Sequence, residues 1–192
     1  RNGDKKLKIK AGHHRFWVAR ELGIPIKFVV CDDNATIFEL ERSTNNWNVK
    51  DFLTGHVRRG VPEYITVKEY CDRTGISTMQ AVSMLSGECA GSNNRTDQFK
   101  DGSLKLSDPT HAGVVADIVL HMKKCGITFA STSLLINALS KVVMLDEFDV
   151  SAFKHKISTF PSIVEKKQNL QQYLKLIENV YNHKQSTNRL PL

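Results

Sequence analysis

Between Leu7 and Asp32 an apolar run, a glycine turn, a helical stretch and a second apolar run follow one another, an order that few folds accommodate. Leu7–Lys10 and the largely apolar Ile26–Cys31 are too short for helices and read as strands. The stretch between them, about His14–Leu22, has helical spacing: Phe16, Ala19 and Leu22 recur on one face, and Arg20 and Glu21 fall on the other. Gly23 supplies a left-handed stop and Pro25 cannot extend the helix. The apolar face is expected to lie on the strands, giving a small α/β core.

The chemistry of this unit is concentrated in Gly12-His13-His14-Arg15, at the mouth of the helix. A helix start carries unpaired N–H groups and a partial positive charge, which together attract phosphate or carboxylate. Gly12 allows close approach of the backbone, and Arg15 can grip phosphate oxygens in two-pronged fashion. His13 and His14 add donors or a base. These four residues are the first candidate site.

Strand–GHHR–helix–LGIPI–strand resembles the core of the ParB/sulfiredoxin superfamily. It is similar to the GERR box of ParB proteins, the GCHR box of sulfiredoxins and the DGQHR or DGHHR box of phage and plasmid ParB-like proteins. The last group is the nearest, because Arg42–Leu53 (RSTNNWNVKDFL) is similar to its Asn-rich segment and Trp, and Glu178–Asn182 (ENVYN) to its ending. The resemblance implies an α+β protein: a nucleotide-binding α/β core over residues 1–58, then an α-helical domain over 63–192. It also implies a triphosphate ligand, CTP or ATP with Mg²⁺, held by Gly12, His13, His14, Arg15 and, from the acid–amide segment, Glu41, Asn45 and Asn46. Read from the residues alone, those last three are equally suited to capping and turning the chain. DNA is the implied macromolecular partner, with a homodimer as a further expectation.

Departures from the family's pattern bear on chemistry. His13 stands where sulfiredoxins have cysteine, so sulfur chemistry is not expected. Ala11 stands where the nearest group usually has Asp, which removes a carboxylate that could hold a metal or act as a base. Ten residues precede Ala11, where members usually place a strand or two. The chain is therefore expected either to be a fragment or to complete its sheet in another way.

The formal charge of +7 makes an acidic partner plausible, nucleic acid first. The excess is spread, with four net positive charges in residues 1–66 and three in 67–192. Cys31, Cys71, Cys89 and Cys125 have no CxxC spacing, which points to buried thiols in a reducing cytoplasm. No signal peptide and no apolar run of membrane length is visible, so no membrane partner is expected. No Gly-x-Ser-x-Gly, P-loop or Rossmann pattern is present, which disfavours ordinary hydrolases, kinases and dinucleotide enzymes.

Further along, Asn34 is a candidate cap for a helix over Ala35–Arg42, and Asn48 for one over about Val49–Val57. His56–Pro62 reads as the junction between domains, interrupted by Gly60 and Pro62. Thr66 can cap a helix through Arg73, Gly75 can turn left-handed, and Ser77 can cap a second helix through Leu85. Cys71, Gly75, Ile76 and Val82 fall near helix-turn-helix positions. In that arrangement Thr78, Met79, Gln80 and Ser83 would face the major groove, with Lys68, Arg73 or Arg95 on phosphate. Any helical domain can also be built from two short helices and a glycine turn. Gly87–Gly102 reads as a loop and Ser103–Leu106 as a short β element or turn. Helices are expected after Asp108-Pro109, after Ser131 or Ser133, over Ala152–Thr159 and over Ile163–His183, forming a bundle.

Three functions are compatible with these residues. One is a ParB-like DNA-associated protein that binds nucleotide at the GHHR turn. Another is a nuclease or phosphotransferase on the same fold, with His13 or His14 as general base and Arg15 as the remaining catalytic residue, stabilising phosphate charge. The third is a non-catalytic interaction module.

Overall fold

The computed structural model describes residues 7–30, 47–87, 93–107, 109–185 and 189–191, with backbone alone for Asn93, Asn94 and Pro109. The chain divides into two compact units, Arg1–Asn48 and Val49–Leu192.

In the first unit one helix is described, α1 (His13–Glu21). Leu7–Lys10 and Ile24–Val30 lie on either side of it without forming strands, and no strand occurs anywhere among the described residues. The expected α+β class, with its α/β core, is therefore corrected to an all-helical fold. A strand exists only where a neighbour pairs with its N–H and C=O groups. An uninterrupted apolar run also needs cover on both faces, whereas Phe28, Val29 and Val30 are 69%, 90% and 60% exposed. The face expected to cover the strands is likewise mostly open: Ala19 is buried and Phe16 half-buried, but Leu22 is exposed. The helix stop is as expected, with Gly23 at φ 62° and its N–H bonded to the Arg20 carbonyl. The helix expected over Ala35–Arg42 lies outside the described residues.

Every regular element described in the second unit is a helix. Its elements are α2 (Val49–Arg58), α3 (Pro62–Thr74), α4 (Thr78–Leu85), α5 (Asn93–Asp101) and α6 (Pro109–Lys124). They are followed by α7 (Ser133–Val142), α8 (Val150–Thr159), a 3₁₀ turn (Pro161–Ile163) and α9 (Leu170–Tyr181). Tyr64, Val67, Ile118, Val119, Leu139 and Ile157 have no exposed surface, and each aliphatic side chain so buried contributes about 1.5–3 kcal/mol. The His56 ring stacks on Tyr64 at 4.2 Å and ties α2 to α3.

Several boundaries differ from the sequence expectation for identifiable reasons. Pro62 begins α3 rather than ending what precedes it, because proline at a first helical position gives up an N–H that would be unbonded anyway. Helix α5 occupies what reads as loop; its segment is polar, and Phe99 is its one buried apolar residue. Ser103–Leu106 forms no β element. The last helix starts at Leu170, not Ile163, because Pro161 opens a 3₁₀ turn and Asn169 then caps α9 by accepting from Gln172 N at 2.9 Å. At α8, Asp149 caps by accepting from Ser151 N at 2.8 Å and Ala152 N at 3.1 Å. No described helix is long and apolar enough to cross a membrane.

Candidate functional site

The first turn of α1 is built around Gly12, whose φ of 83° lies in the left-handed region that favours glycine. That conformation turns the chain into the helix, and no side-chain cap bond is present. The first helical bond runs from Phe16 N to the Gly12 carbonyl at 2.9 Å. The preceding amides, on His13, His14 and Arg15, therefore lie ahead of the helical ladder. No acidic residue stands in this turn, and His13, His14 and Arg15 are all exposed. Arg15 lies close to Gly12: its Nε is 4.0 Å from where a Cβ on Gly12 would sit. Unbonded amides, a guanidinium and two imidazoles thus share one entrance, a donor set suited to a phosphate group.

Mg²⁺ is a different matter. It takes oxygen ligands, chiefly carboxylates and phosphate, and the described part of this entrance offers no carboxylate. No cluster of three His, Cys, Asp or Glu suited to a metal occurs among the described residues. A protein-held ion does not fit these residues, so Mg²⁺ would arrive on a triphosphate. Glu41, Asn45 and Asn46 lie outside the described residues.

The candidate DNA-reading residues are engaged within the second unit. None of the eight residues of α4 is exposed. Gln80 Nε2 donates to the Ser133 carbonyl at 3.0 Å and to Asn137 Oδ1 at 2.7 Å, both on α7. Ser83 Oγ accepts from the buried Arg95 at 3.0 Å. Thr78 hydrogen-bonds the Cys71 thiol, which partly offsets the burial that raises the Cys71 pKa. Arg73 is exposed, its guanidinium 5.8 Å from the Tyr70 ring centre. Thr78, Met79, Gln80 and Ser83 are the half-buried residues of α4, and its other four are buried. The glycine turn itself is as the sequence suggests, with Gly75 at φ 68° and its N–H on the Cys71 carbonyl at 2.7 Å.

Two groupings were not legible beforehand. His121 Nε2 lies 3.0 Å from the Lys154 carbonyl, 2.8 Å from Ser158 Oγ and 3.7 Å from Cys125 Sγ. The grouping joins α6 to α8. The spacing of His121 and Cys125, one turn apart, was its only trace in the sequence. The second grouping is a basic trough along α9, assembled from segments too far apart in the chain for spacing to relate them.

Comparison of the chain with protein-family models, with curated proteins and with solved structures finds no match. The ParB/sulfiredoxin resemblance accordingly rests on the residues quoted for it.

Proposed function

We propose that this chain binds a phosphate-bearing ligand, a nucleoside triphosphate such as CTP or ATP, at the mouth of α1, acting as a ParB-like, DNA-associated protein of the cytoplasm. The observation that carries this reading is the uncapped first turn: Gly12 at φ 83°, no acidic residue in that turn, and Arg15 close to Gly12. Charge-assisted bonds from a guanidinium and from helix-start amides are among the strongest a protein offers phosphate. For DNA, the net charge of +7 supports contact with the phosphate backbone. Base reading by α4 is not part of the proposal, since the Gln80 and Ser83 side chains are hydrogen-bonded within the second unit. Bond cleavage is not part of it either, because Ala11 stands where a carboxylate would serve as base or metal ligand.

Titration calorimetry with CTP, ATP and GTP, with and without duplex DNA, tests the proposal. The expected result is saturable binding of at least one nucleotide, weakened about tenfold or more by Arg15→Ala. Absence of binding by all three, or affinity indifferent to Arg15→Ala, would overturn it.

A further inference from the structure

The surface of α9 carries two adjoining open cavities of about 780 and 620 Å³, both lined by Lys175, Asn179 and His183. Together they form one trough within the second unit. Lys166 and Lys167 approach it from the segment after the 3₁₀ turn, Lys184 from the end of α9, and Arg189 from the chain beyond. Five lysine or arginine side chains thus face two carboxylates, Glu165 and Glu178, a net of +3 with His183 neutral. Those carboxylates are already engaged, Glu165 with Lys167 at 2.8 Å and Glu178 with Lys175 at 2.9 Å. Lys166 and Arg189 have no acidic partner among the described residues, and Lys184 sits 4.7 Å from the Phe160 ring centre.

The trough is held in shape from below. Asn182 Nδ2 donates to the Leu190 carbonyl and Asn182 Oδ1 accepts from Leu190 N, both at 2.8 Å, so the chain carrying Arg189 is fastened to the end of α9. Lys156 Nζ donates to the His183 carbonyl at 2.6 Å and fixes the turn at the other wall. Buried Leu176, Val180 and Leu190 form an apolar floor, and Gln168, Gln172 and Asn179 stand exposed along the sides.

We infer that this trough is a docking site for an acidic, extended polypeptide segment. The amides can pair with a peptide backbone, the floor can take one or two apolar side chains, and the unneutralised cations match carboxylates. From Gln172 to Asn182 the helix rises about 15 Å, the span of roughly four or five extended residues. A segment of that length carrying about three acids balances the lining charge. Single-stranded nucleic acid fits less well: it binds through aromatic platforms on which bases stack, and the lining has no aromatic ring beyond the His183 imidazole.

Fluorescence anisotropy on the full chain tests this with a labelled peptide of Glu, Asp, Leu and Gly, a peptide in which Lys replaces the acids, and labelled oligothymidylate. The acidic peptide should bind saturably and more tightly than either control. Lys166→Glu with Arg189→Glu should weaken it about tenfold or more, with helical circular dichroism unchanged because both side chains are exposed. His14→Ala with Arg15→Ala, at the anion site of the first unit, should leave peptide affinity unchanged. The inference is overturned if the acidic peptide does not bind, if oligothymidylate binds as tightly, or if peptide binding follows Arg15 rather than Lys166 and Arg189.

Discussion

Gly102 and Gly113 are both glycines of the helical unit, but their surroundings give opposite forecasts. A Cβ on Gly102 would stand 2.8 Å from Cε1 of the buried His56, and φ there is 91°. Gly102→Ala should cost about 2 kcal/mol or more, from left-handed strain plus displacement of a packed ring. Gly113 lies inside α6 with nothing near its would-be Cβ, so Gly113→Ala should stabilise by about 0.5–1 kcal/mol. Urea unfolding midpoints check both signs. Tyr64 and Tyr70 bear on pH in the same way. Burial pushes each phenol up from 10.0 to about 12. Below pH 10 both are protonated, folded or unfolded, and their contribution is complete. Between pH 10 and 12 the unfolded chain releases protons that the folded one retains, so stability should fall by about 1.4 kcal/mol per pH unit for each tyrosine. Tyr70→Phe should make that decline shallower, as urea midpoints across this range would show.

At the scale of the element, α4 separates a DNA-reading helix from a packing helix. Gln80→Ala removes two bonds to α7 and should cost about 1 kcal/mol, while DNA affinity, measured by filter binding, stays where it was. A loss of DNA affinity without a loss of stability would return α4 to the groove. Elements written in local chemistry could be read from sequence: the Gly75 turn, the helix from Thr78 and the Asp149 cap each depend on residues within one turn of themselves. Helix α5 could not be read, because its polar run Asn93–Gln98 carries no apolar periodicity and Phe99 is its one buried apolar residue. The strands failed for the opposite reason. Their apolar character was plain, but a strand needs a partner, and no local signal supplies one. At the candidate sites the same division holds. Gly12–Arg15 is contiguous and was legible, whereas the α9 trough joins Lys166 to Arg189 and exists only once the chain has folded.

For the whole molecule, the distribution of core residues is lopsided. Among the described residues, Ala19 is the one buried apolar side chain that precedes residue 49. The cooperative unfolding transition should therefore belong to Val49–Leu192, and a fragment of those residues should keep its helical circular dichroism and nearly the full chain's melting temperature. Loss of the transition in the fragment would mean that the first unit contributes to that core. If the fragment keeps its transition, the first unit is left with ligand binding as its role rather than stability, and its amides report on that directly. In ¹H–¹⁵N correlation spectra of the full chain titrated with ATP or CTP, the His13, His14 and Arg15 amides and the Arg15 Nε–H should shift together and saturate. Shifts that leave those signals in place, or none at all at saturating nucleotide, would contradict phosphate binding at the start of α1.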